Sequence, residues 1–352
     1  MTRSSSRLSA APTVRDIAAQ VGVSTGTVSR ALKGQAGLTE ETRQAVLDAA
    51  QSLGYDLGKL RPVKARRVAF LLNRLHATPS ANAFYSPVLH GVEVACQGAD
   101  VSLTYASVGP GDAVDELLRR LDADALLCAG YFQPELLDAL RASGKPLVLI
   151  DHQYAGLPSV NTDNETGGYL ATRHLIQSGR RRVAHIEGPQ THFSLSQRRA
   201  GYLRALAEAG RAGSALEVLL DRVEQGAPVR EVVQALLSAP ERPDAIFAYN
   251  DSTAMLTMTA LQEAGLRVPE DIAVVGFDDV EMALHARPPL STVRVDKERL
   301  GALGLELLLA GSAAPREQVL VPVELVVRRS SGQAAGAARR SRVRRPVGDQ
   351  PG

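Results

Sequence analysis

From Arg67 onward, short runs of near-continuous apolar residues alternate with stretches of helical length, and no other feature of the chain restricts its fold so far. The runs are "RVAFLLN", "VSLTYAS", "ALLCAG", "PLVLID", "VAHIEG", "AIFAYN", "IAVVGFDD" and "TVRVD". Helical lengths such as 87–98, 112–121 and 166–178 separate most of them. A strand that is apolar along its whole length must be covered on both faces, and a parallel strand reaches its neighbour only through a crossover. Apolar strands joined by helices therefore predict parallel sheets with helices on both faces. Residues 67–330 are long enough for two such α/β lobes in tandem.

The chain before this region is of a different kind. In "TVRDIAAQVGVSTGTVSRA", Val14, Ile17, Ala18 and Val21 fall at i, i+3, i+4 and i+7 and give a short helix one apolar stripe. Thr13 stands at its N-cap and Asp16 three positions on, a capping-box arrangement that also sets negative charge at the positive helix end. Gly22 supplies a turn, and Ser24 is placed to cap a second helix that carries Val28 and Leu32 inward. Thr39, Glu40 and Glu41 then open a third helix with Val46, Ala49, Ala50 and Leu53 on one side. Two short helices about a glycine turn read as helix-turn-helix. Thr25, Gly26, Thr27, Ser29 and Arg30 lie around the start and outer face of the second helix, where hydroxyls, a methyl and a guanidinium can meet base edges in a DNA major groove.

Charge separates the same regions. Residues 1–67 carry eleven Lys and Arg against five Asp and Glu, although the net charge of all 352 residues is only +2. A basic amino-terminal portion on a nearly neutral body fits a polyanion met at one end. Cys96 and Cys128 are far apart and no histidine cluster exists, so a reducing compartment is expected, with no cofactor and no metal site. The first twelve residues lack a signal-peptide core and no run approaches a membrane span, which predicts a cytoplasmic, nucleoid-associated protein without a membrane partner.

The segments "VRDIAAQVGVSTGTVSRALKG" and "TEETRQAVLDAAQSLGY" resemble the DNA-binding head of the lactose/galactose repressor (LacI/GalR) family. The ordered strings "VLID", "VNTDNETGGYLATRHLIQSGRRRVAHIEGP", "QRRAGYLRAL", "RPDAIFAYND", "GLRVPEDIAVVGFDD" and "PPLSTVRVD" resemble its ligand-responsive core, which is similar to periplasmic sugar-binding proteins. The resemblance implies an all-α helix-turn-helix head joined to an α/β two-lobed, periplasmic-binding-protein-like core. The expected divisions are a disordered tail over 1–12, the head over 13–55, a basic hinge or linker over 56–66, the ligand-binding and dimerising body over 67–330 and a disordered basic tail over 331–352. In the family the hinge forms a helix on DNA and a leucine wedges into the minor groove. Here the connection is shorter and Pro62 interrupts it, leaving Leu60 and Leu57 as candidate wedges.

Ligands of open α/β sheets sit beyond the carboxyl ends of the strands, where Asp151, Asn250, Asp251, Asp278 and Asp279 fall. Carboxylates that accept from hydroxyls and a guanidinium that donates a fork suit a polyhydroxylated molecule. The resemblance implies that Asp151, Arg198, Asn250 and Asp278 contact the effector and that Phe84 and Tyr85 close over it, in a site between the two lobes. His152 and His192 are further candidate walls. The chain has no Trp, so a stacked ring would rest on Phe84, Tyr85, Phe193 or Phe277. His174 and His185, inside helix and strand patterns, read as structural, whereas Asp251 and Asp279 are open to either a structural or a binding role.

These features predict a transcriptional regulator, a repressor by preference, with operator DNA and a small, carbohydrate-like effector as partners and a homodimer or tetramer as its assembly. The family also includes sensors of nucleobases and phosphorylated sugars. The alternatives are a ligand-responsive activator, a cytoplasmic sugar-binding protein and a glycoside-processing enzyme. No G-x-S-x-G, H-E-x-x-H, Walker or G-x-G-x-x-G motif is present to support an enzyme.

Overall fold

The computed structural model describes residues 13–32, 37–53, 55, 65–76, 79–220, 226–311 and 318–332. The head is three helices, α1 (Val14–Val21), α2 (Thr25–Leu32) and α3 (Glu40–Ser52). The Asp16 carboxylate accepts from both the Thr13 N–H and the Thr13 hydroxyl at 2.7 Å. Gly22 closes α1 with φ +75°, its N–H donating to the Ala18 carbonyl at 2.9 Å. Ile17, Val28, Ala31, Leu32, Val46 and Ala50 form the core between the three helices. Each large aliphatic side chain buried in this way contributes about 1.5–3 kcal/mol, which a head this small cannot spare. Two polar contacts tie the helices together outside that core: Gln20 Nε2 donates to Ser52 Oγ at 3.0 Å, and Arg43 Nη1 to the Ala31 carbonyl at 3.4 Å.

The first lobe begins with β1 (Arg67–Asn73), α4 (Pro79–Gly98), β2 (Ser102–Val108), α5 (Val114–Leu121), β3 (Ala125–Ala129), α6 (Pro134–Ala142), β4 (Leu147–Ile150) and β5 (Ser159–Thr162). The second is built from α7 (Asn164–Gln177), β6 (Val183–Glu187), α8 (Phe193–Glu208), β7 (Leu216–Leu219), α9 (Gly226–Ser238), β8 (Ala245–Ala248), α10 (Asp251–Glu263), β9 (Ala273–Asp278), α11 (Glu281–His285) and β10 (Ser291–Val295). The chain then adds α12 (Lys297–Ala310) and β11 (Gln318–Val321) to the first lobe and β12 (Val323–Val326) to the second.

The sheets have equivalent orders, β11-β5-β4-β3-β1-β2 and β12-β10-β9-β8-β6-β7. In the first, β2, β1, β3, β4 and β5 pair in parallel. In the second, β7, β6, β8, β9 and β10 do the same and β12 runs antiparallel to β10. Strand order therefore reverses between β1 and β3 in one lobe and between β6 and β8 in the other. A doubly wound sheet opens a crevice at the carboxyl ends of such strands. One buried face of the first sheet centres on Leu71, Leu126, Cys128 and Leu149, and one of the second on Ile186, Ile246 and Val274, in one cluster with Leu261 of α10.

All eight apolar runs form strands, but β5, β7, β11 and β12 were not anticipated. Residues 159–162 read "SVNT" and are wholly buried, so polar character conceals their place in the sheet. The other three are four-residue strands at sheet edges, where burial is partial and the apolar signal correspondingly weak. The expected carboxyl-terminal tail also starts too early by at least one residue. Ser331 is buried, its Oγ lying 2.8 Å from His174 Nε2 and 2.7 Å from Ser291 Oγ, so the described chain stays with the fold here. Residues 1–12, most of the linker including Leu57 and Leu60, and residues 333–352 lie outside the described structure.

Candidate functional site

On α2, Ser24 Oγ accepts from the Thr27 N–H at 3.0 Å and lies 2.9 Å from Thr27 Oγ1. The helix start is thereby capped, and Thr27, half-buried, shares its hydroxyl with Ser24. Thr25, Gly26, Ser29 and Arg30, at i, i+1, i+4 and i+5, share the face opposite Val28, Ala31 and Leu32. Thr25, Gly26 and Arg30 are exposed and Ser29 is half-exposed. A Cβ at Gly26 would meet only Ser24 Oγ, at 3.6 Å, so the surface there is open.

The second lobe assembles its polar centre around Arg198. Helices α7 and α8 approach so closely that a Cβ at Gly168 would overlap the Arg198 carbonyl and one at Gly201 the Glu165 carbonyl. Only glycine permits this backbone-to-backbone contact, and it sets where α8 presents Arg198. Arg198 is 4% exposed. Its Nε donates to Asn164 Oδ1 at 2.9 Å, Nη1 to the Tyr249 carbonyl at 2.5 Å and Nη2 to Asp278 Oδ1 at 3.3 Å. Its flat face lies 3.7 Å from the centre of the Phe277 ring. Asn164 is oriented from both ends, since its Nδ2 donates to the Thr162 carbonyl at 3.0 Å. These bonds use three of the five guanidinium N–H groups. The Asp278 contact is at the long end for a charge-assisted bond, so the pair is close without being clamped.

The loop following β9 turns sharply at Asp278 and Asp279, both left-handed, with φ +107° and +48°. Lys297 Nζ donates to the Asp278 carbonyl and lies 3.4 Å from that of Asp279. Asp279 is structural: burial alone would raise its pKa, but bonds from Arg294 Nε and Arg328 Nη2, each 2.7 Å, hold it below the usual value. Asp251 is structural too, accepting from the Val280 N–H at 2.9 Å and Thr292 Oγ1 at 2.5 Å. Burial first, and the neighbouring Asp278 second, push its pKa well above the usual carboxylate value. Asn250 caps α10, its Oδ1 accepting from the Thr253 N–H at 2.9 Å, and it directly follows the Tyr249 carbonyl that holds Arg198. His192 occupies the N-cap position of α8 and is half-buried.

Of the remaining expected residues, Phe84 and Tyr85 are buried on α4 and meet edge to face, with ring centres 5.0 Å apart. Asp151 directly follows β4 with φ +57°, its N–H donating to the Val160 carbonyl at 3.0 Å. His152 is buried beside Tyr131, and burial lowers its pKa. Phe277 cannot serve as a stacking platform, because it is fully buried and the Arg198 guanidinium covers its ring. His174 and His185 are structural: His185 Nδ1 lies 3.0 Å from the Phe247 carbonyl, between the Phe247 and Tyr202 rings. Asn164 and the Tyr249 carbonyl were not anticipated, since neither a neutral amide nor a main-chain oxygen leaves a distinctive sequence signal.

Comparison with known proteins bears on both regions. Residues 13–56 match the family model described as bacterial regulatory proteins, lacI family, and residues 172–331 match that of a periplasmic binding protein-like domain. The HTH-type transcriptional repressor PurR of Mannheimia succiniciproducens is 31% identical over 336 residues, covering 90% of this chain and 98% of its own. Among solved structures, a complex of the transcriptional regulator CelR with cellobiose superposes with a TM-score of 0.67 at 30% identity, covering 91% of this chain and 99% of the other. A lac repressor dimer bound to operator and the anti-inducer ONPF superposes with a TM-score of 0.66 at 25% identity, covering 92% and 99%.

Proposed function

Since the chain belongs to the lacI family of bacterial regulatory proteins, we propose that it is a repressor whose hold on operator DNA is altered by a carbohydrate bound at the Arg198 centre. Thr25, Ser29 and Arg30 read bases in the major groove, Gly26 leaves one step unread, and the Thr27 methyl adds an apolar contact. Arg198, Asp278 and Asn250 bind the effector, joined by His192, Phe84, Tyr85, Asp151 and His152. Leu60 is the candidate minor-groove wedge. Two heads in a homodimer would face a partly palindromic site, because half-site symmetry follows protein symmetry. A protein acting on operator DNA works in the compartment that holds the chromosome. Among the described residues, no helix is long and apolar enough to cross a membrane.

The observation that carries the effector reading is the Arg198 guanidinium. It is buried at the carboxyl ends of β8 and β9, anchored by an amide, a carbonyl and a carboxylate, and still has two N–H groups beyond those bonds. A vicinal diol can accept from that fork and donate to Asp278, a pattern that rewards hydroxyls and penalises their loss. Such a ligand is bound and released unchanged.

The test is a titration of promoter-duplex binding in the presence of monosaccharides, disaccharides and nucleobases. An effective sugar is expected to change affinity by about 5–150-fold, the usual range for coupled sites. In Arg198→Ala, duplex binding without effector should persist while the response disappears. Turnover of the sugar, or a response to nucleobases alone, sinks the proposal.

A further inference from the structure

After α4 the chain passes between its two lobes at 160–161, 297–298 and 319–320. The first and third passages run through β5 and β11, where ladder bonds hold the backbone. The second falls at Lys297, the last residue of the second lobe and the first of α12. A cation there is opposed by the positive end of the helix dipole, so local helix chemistry gives no reason for it. The half-buried Lys297 side chain instead turns back to main-chain oxygens of its own lobe. Its Nζ donates to the Asp278 carbonyl and lies 3.4 Å from those of Asp279 and Val295.

Asp278 and Asp279 are left-handed, and neither is glycine, so the conformation is strained and persists because its surroundings impose it. The ammonium on their carbonyls is one such restraint. Arg294 and Arg328 on the Asp279 carboxylate, and Asp251 on the Val280 N–H, are further ones. The side chain of Asp278 meanwhile meets Arg198. On the other side of Lys297, the next residue is fixed in the first lobe. A Cβ at Gly91 of α4 would overlap the Glu298 carbonyl, and one at Gly301 of α12 the Val88 carbonyl, so the two helices meet backbone to backbone. One hydrogen bond, one side chain and one peptide bond therefore join Asp278 to a helix pair of the first lobe.

We propose that Lys297 is a positioning residue that couples the effector centre to α12, so that a ligand hydroxyl taken up by Asp278 resets the α4–α12 pair. The inference rests on the effector reading of the Arg198 centre and adds the route of its regulation. Coupling needs an element with two arrangements that both sites bias, and the strained pair 278–279 is that element. When the carboxylate accepts from a ligand, the carbonyl of the same residue shifts on the ammonium, and the start of α12 follows.

The experiment uses the full chain and a panel of neutral sugars that includes D-ribose, D-glucose, cellobiose and lactose. Wild type, Lys297→Met and Lys297→Arg are compared in calorimetric sugar affinity, in the sugar's effect on promoter-duplex affinity and in hydrogen exchange over 298–304. Met keeps the length of the side chain and loses its donors. Lys297→Met should bind the sugar within about 5-fold of wild type, while the change in duplex affinity falls from about 5–150-fold to less than about 2-fold. The sugar should alter exchange over 298–304 in wild type and not in Lys297→Met. Lys297→Arg, which keeps charge and donors, should recover both responses. An undiminished duplex response in Lys297→Met overturns the proposal, and so does a parallel loss of sugar affinity and urea midpoint, the mark of a purely structural lysine. A wild type that answers to no sugar of the panel sinks the effector reading and this inference with it, and shows itself before any variant is made.

Discussion

Arg198 concentrates the consequences of single substitutions. Removing its side chain leaves Asp278, with a 10% exposed side chain, without the guanidinium, and breaking a buried pair from one side costs about 3–5 kcal/mol. Arg198→Ala should therefore lower the urea midpoint of unfolding as well as abolish the effector response. Arg198→Lys should recover part of the stability but not the response, since a point charge cannot reproduce the fork. A second residue-scale prediction concerns Glu187, which shares the centre between β6, β7 and α8 with Glu217 and Arg199. Burial, and then the adjoining Glu217, push the Glu187 pKa up to about 7 from 4.5, so the folded lobe holds a proton there that the unfolded chain releases. That contribution is complete below pH 4.5 and lost as pH rises through 7. Glu187→Gln should remove about 1–3 kcal/mol of this pH dependence, measured as urea midpoints at about pH 5 and pH 8. Asp278 was legible in the sequence because a carboxylate just past an apolar run is conspicuous, whereas Arg198, inside a helix, stood out only through the family resemblance of "QRRAGYLRAL". Asn164 was not legible, because an amide at the start of a helix reads as a cap.

The elements show where periodicity suffices and where it does not. The three helices of the head were readable from stripe, cap and glycine turn, all of which are local. Ser24→Ala removes the cap on α2 and should cost about 0.5–2 kcal/mol of head stability, visible as weaker promoter binding with the effector response retained. The interior strands β1, β3, β4, β6, β8 and β9 were legible because burial on both faces writes a continuous apolar run. β5 was not, because its buried "SVNT" joins the sheet through neighbours no local pattern reveals. The contact of α7 with α8 was equally hidden: Gly168 and Gly201 look like ordinary helix-weakening glycines until their partners are seen. Gly168→Ala must separate the two backbones, so it should destabilise the second lobe by about 1–3 kcal/mol or more and weaken effector binding together with stability.

At the scale of the whole molecule, reading DNA and sensing a ligand belong to regions with separate cores, so their partners should stabilise different parts of the chain. An effector present at about 100 times its Kd should add about 2.7 kcal/mol to the α/β body that binds it, while promoter duplex should protect the head. Hydrogen exchange of the two regions, followed with each partner in turn, checks this: equal protection of α2 and α8 by the effector alone would contradict it. The two-lobed α/β body was legible because its signal repeats along most of the chain. Side-chain encounters across α7, β9 and α8 come from distant stretches and depend on packing. That packing has a practical consequence for anyone retargeting the regulator to a new inducer. The pinned crossing at positions 168 and 201 gives α8 a fixed mount, so a library should vary the groups it carries and spare the two glycines. Changes to the mount would spoil every member at once, whatever compound was sought.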